Sequence, residues 1–113
     1  MAFPGFYNFL YYRGDTSQFV IQPKTSNGSA FDLTGYTAAF TIATLRGTTG
    51  TQTAASAVVN ATTDIVTCTI TPAVGITLTP ITFVYDVQIT NGTQVYTILT
   101  GEISVVDHVT GAV

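Results

Sequence analysis

The stretch Thr82–Asp107, TFVYDVQIT-NGTQ-VYTILTGEISVVD, decides the fold. Two runs rich in β-branched and aromatic residues flank Asn91-Gly92, a pair that accepts positive φ and so gives the strongest short-range signal for a tight hairpin turn. In the first run Phe83, Tyr85, Val87 and Ile89 share one face, and Val84, Asp86, Gln88 and Thr90 share the other. That is the two-residue period of a half-buried strand. In the second run Tyr96 and Ile98 hold one phase, whereas Ile103 and Val105 hold the opposite one. Gly101 lies between them, and a glycine there, with no side chain to pack, is the expected site of a bulge. This long hairpin is the expected spine of the fold.

Outward from it the same period recurs. Ile65–Thr71 places Val66, Cys68 and Ile70 on one face, and Thr37–Leu45 does the same with Ala38, Phe40 and Ile42. Ser17–Gln22 reads as a strand with Phe19 and Ile21 inward, and Ser56–Asn60 as a shorter one turned back by residues 61–64. Residues 23–30 form a polar loop around Asn27-Gly28, and residues 46–54 (RGTTGTQTA) a Gly/Thr loop. Residues 72–80, bounded by prolines, read as a crossover connection. No helical period stands out. The expectation is one domain: an all-β, immunoglobulin-like β-sandwich of about seven antiparallel strands over residues 13–110, with a short tail at 111–113. The Trp of antibody domains is missing.

Residues 1–12 hold Phe3, Phe6, Tyr7, Phe9, Tyr11 and Tyr12. Pro4-Gly5 breaks regular structure, and Phe6–Tyr12 then reads as a strand that is apolar on both faces. Two readings stand side by side. In one, this is a first strand buried on both sides; in the other, an aromatic arm docks these six residues on a neighbouring subunit, since aromatic side chains concentrate at interface cores.

Charged residues make up only 8% of the 113, against about a quarter in a typical soluble domain. Much of the surface must therefore be Thr, Ser, Asn, Gln and apolar groups, a surface easier to understand when other protein covers it. The formal net charge is −3, and Arg13, Lys24 and Arg46 are the only Lys or Arg residues. Three cations cannot build the patch that displaces counterions from nucleic acid, nor one that draws the chain to anionic membrane. No apolar run is long enough for a spanning helix, and the aromatic N-terminus lacks the basic region of a signal peptide. Folding in a cytoplasm is expected.

No catalytic constellation emerges. His108 is the single histidine and follows the last expected strand, a tail position that argues against the precisely held imidazole of a triad. One histidine also excludes a two- or three-histidine metal site within one chain. Asp15, Asp32 and Asp64 fall at turns, where carboxylates commonly accept from backbone amides. Asp86 and Glu102 fall on the hairpin strands, where they could flank one another. Loop carboxylates could in principle hold calcium, but no DxD spacing is present. Cys68 reads as an inert core thiol. Arg13-Gly14-Asp15 matches an adhesion tripeptide, although a Gly-centred turn produces such a triplet by chance. No cofactor is expected, and the chain is not expected to be an enzyme.

The ordered segments GFYNF (5–9), RGDTSQFVI (13–21), FDLTGYTAAFTI (31–42), FVYDVQIT (83–90) and LTGEISVVDHVT (99–110) resemble a family of small virion proteins of tailed bacteriophages. They are similar to the immunoglobulin-like N-terminal domain of phage baseplate upper proteins. The most specific part is Asp-Leu-Thr-Gly-Tyr-Thr-Ala at 32–38, followed by Val-Tyr-Asp-Val at 84–87 and Gly-Glu-Ile-Ser-Val at 101–105. The resemblance implies a non-enzymatic attachment module in the virion, made in the host cytoplasm, whose partners are other virion proteins and copies of itself. With no receptor-binding or coiled-coil extension in these 113 residues, an adaptor at the tail or baseplate, or a capsid decoration protein, is expected. The alternative is a glycan- or receptor-binding module of a phage fibre, using Tyr7, Tyr11 and Tyr96 as stacking platforms.

Overall fold

A computed structural model of the chain describes residues 5–47, 51–107 and 109. Among them are eight strands and one helical turn. The strands are β1 (Gly5–Phe6), β2 (Phe9–Tyr12), β3 (Ser17–Ile21), β4 (Thr37–Ala43), β5 (Gln52–Asn60), β6 (Ile65–Ile70), β7 (Thr82–Thr90) and β8 (Val95–Val106). The helical turn, α1 (Pro72–Gly75), lies in the crossover between β6 and β7; Thr71 caps it by accepting from the Val74 N–H, and proline occupies its first turn.

The strands follow one another across the sheet as β1-β8-β7-β4-β5-β6-β3, and β2 continues the pairing of β1 along β8. β5 is the corner. Its first half pairs with β4 (Phe40 opposite Ala55) and its second half with β6 (Ser56 opposite Thr69), so the sheet curls over onto itself. The curl brings the two ends of the strand order together: Phe9 of β2 and Phe19 of β3 lie 5.5 Å apart, centroid to centroid. Phe40 of β4 and Tyr85 of β7 complete this ring cluster, 5.5 Å from each other. Edge-to-face pairs of this kind contribute about 0.5–1.5 kcal/mol each beyond their buried area.

The all-β class holds. Phe83, Tyr85, Val87 and Ile89 are all buried, as are Phe40, Ile42, Val66, Cys68 and Ile70, each on the face its alternation indicated. Four details differ from expectation. First, the sheet is mixed, because β1 and β2 run parallel to β8. Second, the slip in the β7–β8 hairpin falls at Ile98, between the pairs Val87–Leu99 and Gln88–Thr97, and not at Gly101. Third, β5 begins at Gln52, inside the expected Gly/Thr loop. Its inward positions Thr53, Ala55 and Ala57 are small, which hides a strand from any reading that looks for large apolar groups. Fourth, the first strand is broken at Tyr7-Asn8 into β1 and β2.

Candidate docking surface

The break has a specific geometry. Tyr7 N–H donates to Thr100 O at 3.1 Å, so in a regular parallel ladder Tyr7 O would accept from Glu102 N–H. It does not. The Tyr7 carbonyl turns onto β8 at Gly101 and accepts from the Tyr85 hydroxyl at 2.6 Å. The side chain of Asn8 takes the vacated place, its Oδ1 accepting from Glu102 N–H at 2.9 Å. A Cβ at Gly101 would sit 2.1 Å from Tyr7 O, so the absence of a side chain at Gly101 is what allows the backbone to approach.

The register is kept across the break: Phe6 faces Thr100, Leu10 faces Ser104 and Tyr12 faces Val106. Even-numbered residues therefore stay on the outward face. Phe6 is 81% exposed, and Leu10, Tyr12 and Val106 are exposed further along the same edge, beyond Asn8. Odd-numbered residues turn inward. Tyr11, 2% exposed, is a core residue, its hydroxyl donating to Asp15 O at 2.6 Å, and Phe9 packs against the core. Of the six aromatic side chains expected to dock, Phe6 and Tyr12 lie on the outward row, Tyr7 is half-exposed beside Phe9 and Phe19, and Phe9 and Tyr11 are engaged inside. Phe3 lies outside the described residues. Leu10 and Val106 join the row; the period-two phase of β2 points to Leu10, whereas Val106 requires knowing that β8 lies alongside.

Arg13 holds the end of this strip. Its guanidinium donates to Leu78 O at 2.9 Å and Ile76 O at 3.0 Å, and it pairs with Asp107 at 3.5 Å. The Arg-Gly-Asp triplet thus has its arginine tied to the loop after α1, with Gly14 buried at φ 88°. Asp32 accepts from the Thr34 N–H and hydroxyl, which hold its carboxyl below the usual range. Asp64 reaches further, accepting from the amide of the fully buried Leu33.

Asp86 and Glu102 do not face one another, since Asp86 lies opposite Thr100 and Val84 opposite Glu102. Asp86 lines a polar groove of about 310 Å³ on the outward face, with Thr41, Arg46, Gln52 and Gln88. Burial pushes its carboxyl up, and the Arg46 cation partly offsets this. Burial also pushes the Cys68 thiol up to about 12, so it stays protonated and inert at neutral pH. Among the described residues no three His, Cys, Asp or Glu side chains come together as a metal site. His108 lies outside those residues. The three tyrosines of the glycan-binding alternative are not assembled: Tyr11 is buried, Tyr7 sits beside Phe19, and Tyr96 packs with Phe31 and Tyr36.

No protein-family profile matches the chain, and no curated protein does. Among solved structures it is similar to a family 123 glycoside hydrolase from Clostridium perfringens, with a TM-score of 0.40 and 12% identity. That alignment covers 92% of this chain and 23% of the hydrolase, so the chain spans less than a quarter of that protein's length.

Proposed function

We propose that this chain is a non-enzymatic structural protein of a tailed-bacteriophage virion, an immunoglobulin-like module that docks on neighbouring subunits as a tail or baseplate adaptor or as a capsid decoration. The observation that carries the reading is the outward row Phe6, Leu10, Tyr12 and Val106 on β1, β2 and β8. Large apolar side chains along an edge of the sheet are unfavourably hydrated in a free monomer and are stabilised when a partner removes them from water. The low charge of the whole chain supports the same reading, because little repulsion opposes packing against other protein.

Removing residues 1–12 would take Phe9 and Tyr11 out of the core, so the test uses outward positions only. The triple variant Phe6→Ser, Leu10→Ser, Tyr12→Ser should keep the wild-type melting temperature and lose incorporation into phage particles, read as copies per particle by quantitative mass spectrometry. Incorporation at the wild-type level would overturn docking through this row. Absence of the wild-type chain from purified particles would overturn the virion assignment itself.

A further inference from the structure

β3 lies at the other end of the strand order and, among the described residues, has a strand partner, β6, on one side only. Its inward residues Phe19 and Ile21 are partly buried, whereas Cys68 and Val66, their register partners on β6, are fully buried. The missing cover lies on the free side. There a groove of about 450 Å³ opens, lined by Tyr7, Phe19, Val20, Ile21, Gln22 and Leu99. Edge strands are usually guarded by lysine, proline, an inward charge or a bulge. Ser17–Ile21 has none of these, and its register with β6 is unbroken. On the outer face the rows Gln18–Thr69–Ser56 and Val20–Thr67–Val58 cross β3, β6 and β5 without a charged residue, and Val20 is 64% exposed.

We propose that β3 pairs antiparallel with β3 of a second copy, extending the β5–β6–β3 layer into six strands across a two-fold axis. An occupant of this edge must bring extended backbone for the free donors and acceptors. It must also bring uncharged apolar side chains at alternate positions for the groove. β3 itself meets both needs: in any register that keeps the two inner faces together, Phe19 and Ile21 of the incoming strand lie along the groove. A two-fold axis sets each edge against its own sequence run antiparallel, so charges on a single edge would be brought close to their own copies; Ser17–Ile21 carries none. This pairing uses a different edge from the Phe6–Leu10–Tyr12 row and stands whether or not that row docks on a virion.

The test is sedimentation equilibrium of the purified full chain from micromolar to millimolar concentration, with hydrogen exchange at the β3 amides. Wild type should pass from monomer to dimer as β3 exchange slows. Val20→Lys should stay monomeric with an unchanged melting temperature, and Gln18→Lys repeats the test at a second edge position. Val58→Lys, the same charge on the same face two strands away, should dimerise like wild type. The aromatic-row triple variant should also dimerise. A wild type monomeric throughout, a dimer that survives both lysines at the edge, or equal loss with Val58→Lys would each overturn the proposal. Loss of the dimer only in the aromatic-row variant would overturn it too, and would assign self-association to that row.

Discussion

The Tyr85 hydroxyl and the Tyr7 carbonyl, 78 positions apart, form a 2.6 Å hydrogen bond that ties the middle of β7 to the break between β1 and β2. Because Tyr7 O is taken, Glu102 N–H is left to Asn8, and because Tyr7 O leans onto β8, residue 101 has no room for a side chain. Three places in the chain, residues 7–8, 85 and 101–102, thus describe one arrangement. Its result is a strand whose even-numbered side chains are offered to the exterior without loss of the odd-numbered ones to the core.

Tyr85→Phe removes the donor and leaves the Tyr7 carbonyl unpaired in a partly enclosed site. The expected cost is about 1–3 kcal/mol, read as a lower urea midpoint with an unchanged slope. Gly101→Ala should cost more, because the clash is with backbone and not with a movable side chain. Its signature is local: amide exchange at Tyr7 and Glu102 speeds up more than at Val87 or Ile89. Uniform acceleration would mean that the break is no separate structural unit.

Gly75 and Tyr11 form a second tight pair. A Cβ at Gly75 would lie 1.7 Å from the Tyr11 hydroxyl oxygen and 2.7 Å from the ring carbon that bears it. Gly75→Ala should therefore destabilise by roughly 1–3 kcal/mol, the usual cost of overpacking. Tyr11→Leu costs stability by itself, since it also loses the bond to Asp15 O. In the Tyr11→Leu background, however, the added Ala should be close to neutral. A double-mutant cycle measures the coupling, and additive effects would show that the ring is free to move aside.

Much of the sheet is legible in the sequence, for a simple reason. Phe83, Tyr85, Val87 and Ile89, like Val66, Cys68 and Ile70, are large or branched groups at period two, and burial follows that period directly. What was illegible depends on distant partners or on small groups. The parallel direction of β1 and β2 is set by β8, some ninety residues away, and nothing local encodes it. Leu33, fully buried, follows Phe31 outside any strand, in a run too short to show a period. Residues 52–55 are a strand built with Thr and Ala, and α1 is one turn, too short to show a helical repeat. In the outward row Phe6 and Tyr12 are visible as aromatics. Tyr11, equally aromatic, belongs to the core because of its odd position.

Asp64 has φ 56°, the left-handed region that side chains other than Gly, Asn and Asp enter at a cost, and its carboxylate accepts from Leu33 N–H at 3.2 Å. Asp64→Asn keeps the acceptor and the tolerated backbone, so little change is expected. Asp64→Ala loses both and leaves a donor unpaired beside a buried leucine, at about 1–3 kcal/mol. Asp64→Gly relieves the backbone while losing the acceptor, and should fall between the two. Thermal melts of the three variants separate the contributions; equal melting temperatures for Ala and Gly would remove the backbone contribution.

Asp86 sets the direction of one pH effect. Burial on the outward face raises its carboxyl above the usual range, with the Arg46 cation pulling partly the other way. The folded chain therefore holds this proton more tightly than the unfolded chain does. Protonated Asp86 favours folding below the unfolded-state value, and that advantage is lost as pH rises from there through the folded-state value, after which the penalty is constant. Asp86→Asn removes the penalty, so it should melt at a higher temperature than wild type at pH 7. The gap should narrow as the pH is lowered through the carboxylate range, because wild type then becomes neutral at this position as well. Arg46→Ala should widen the gap at pH 7, since the nearby cation that partly offsets burial is gone. A gap that stays constant between neutral and acidic pH would show that Asp86 keeps its ordinary titration in the folded chain.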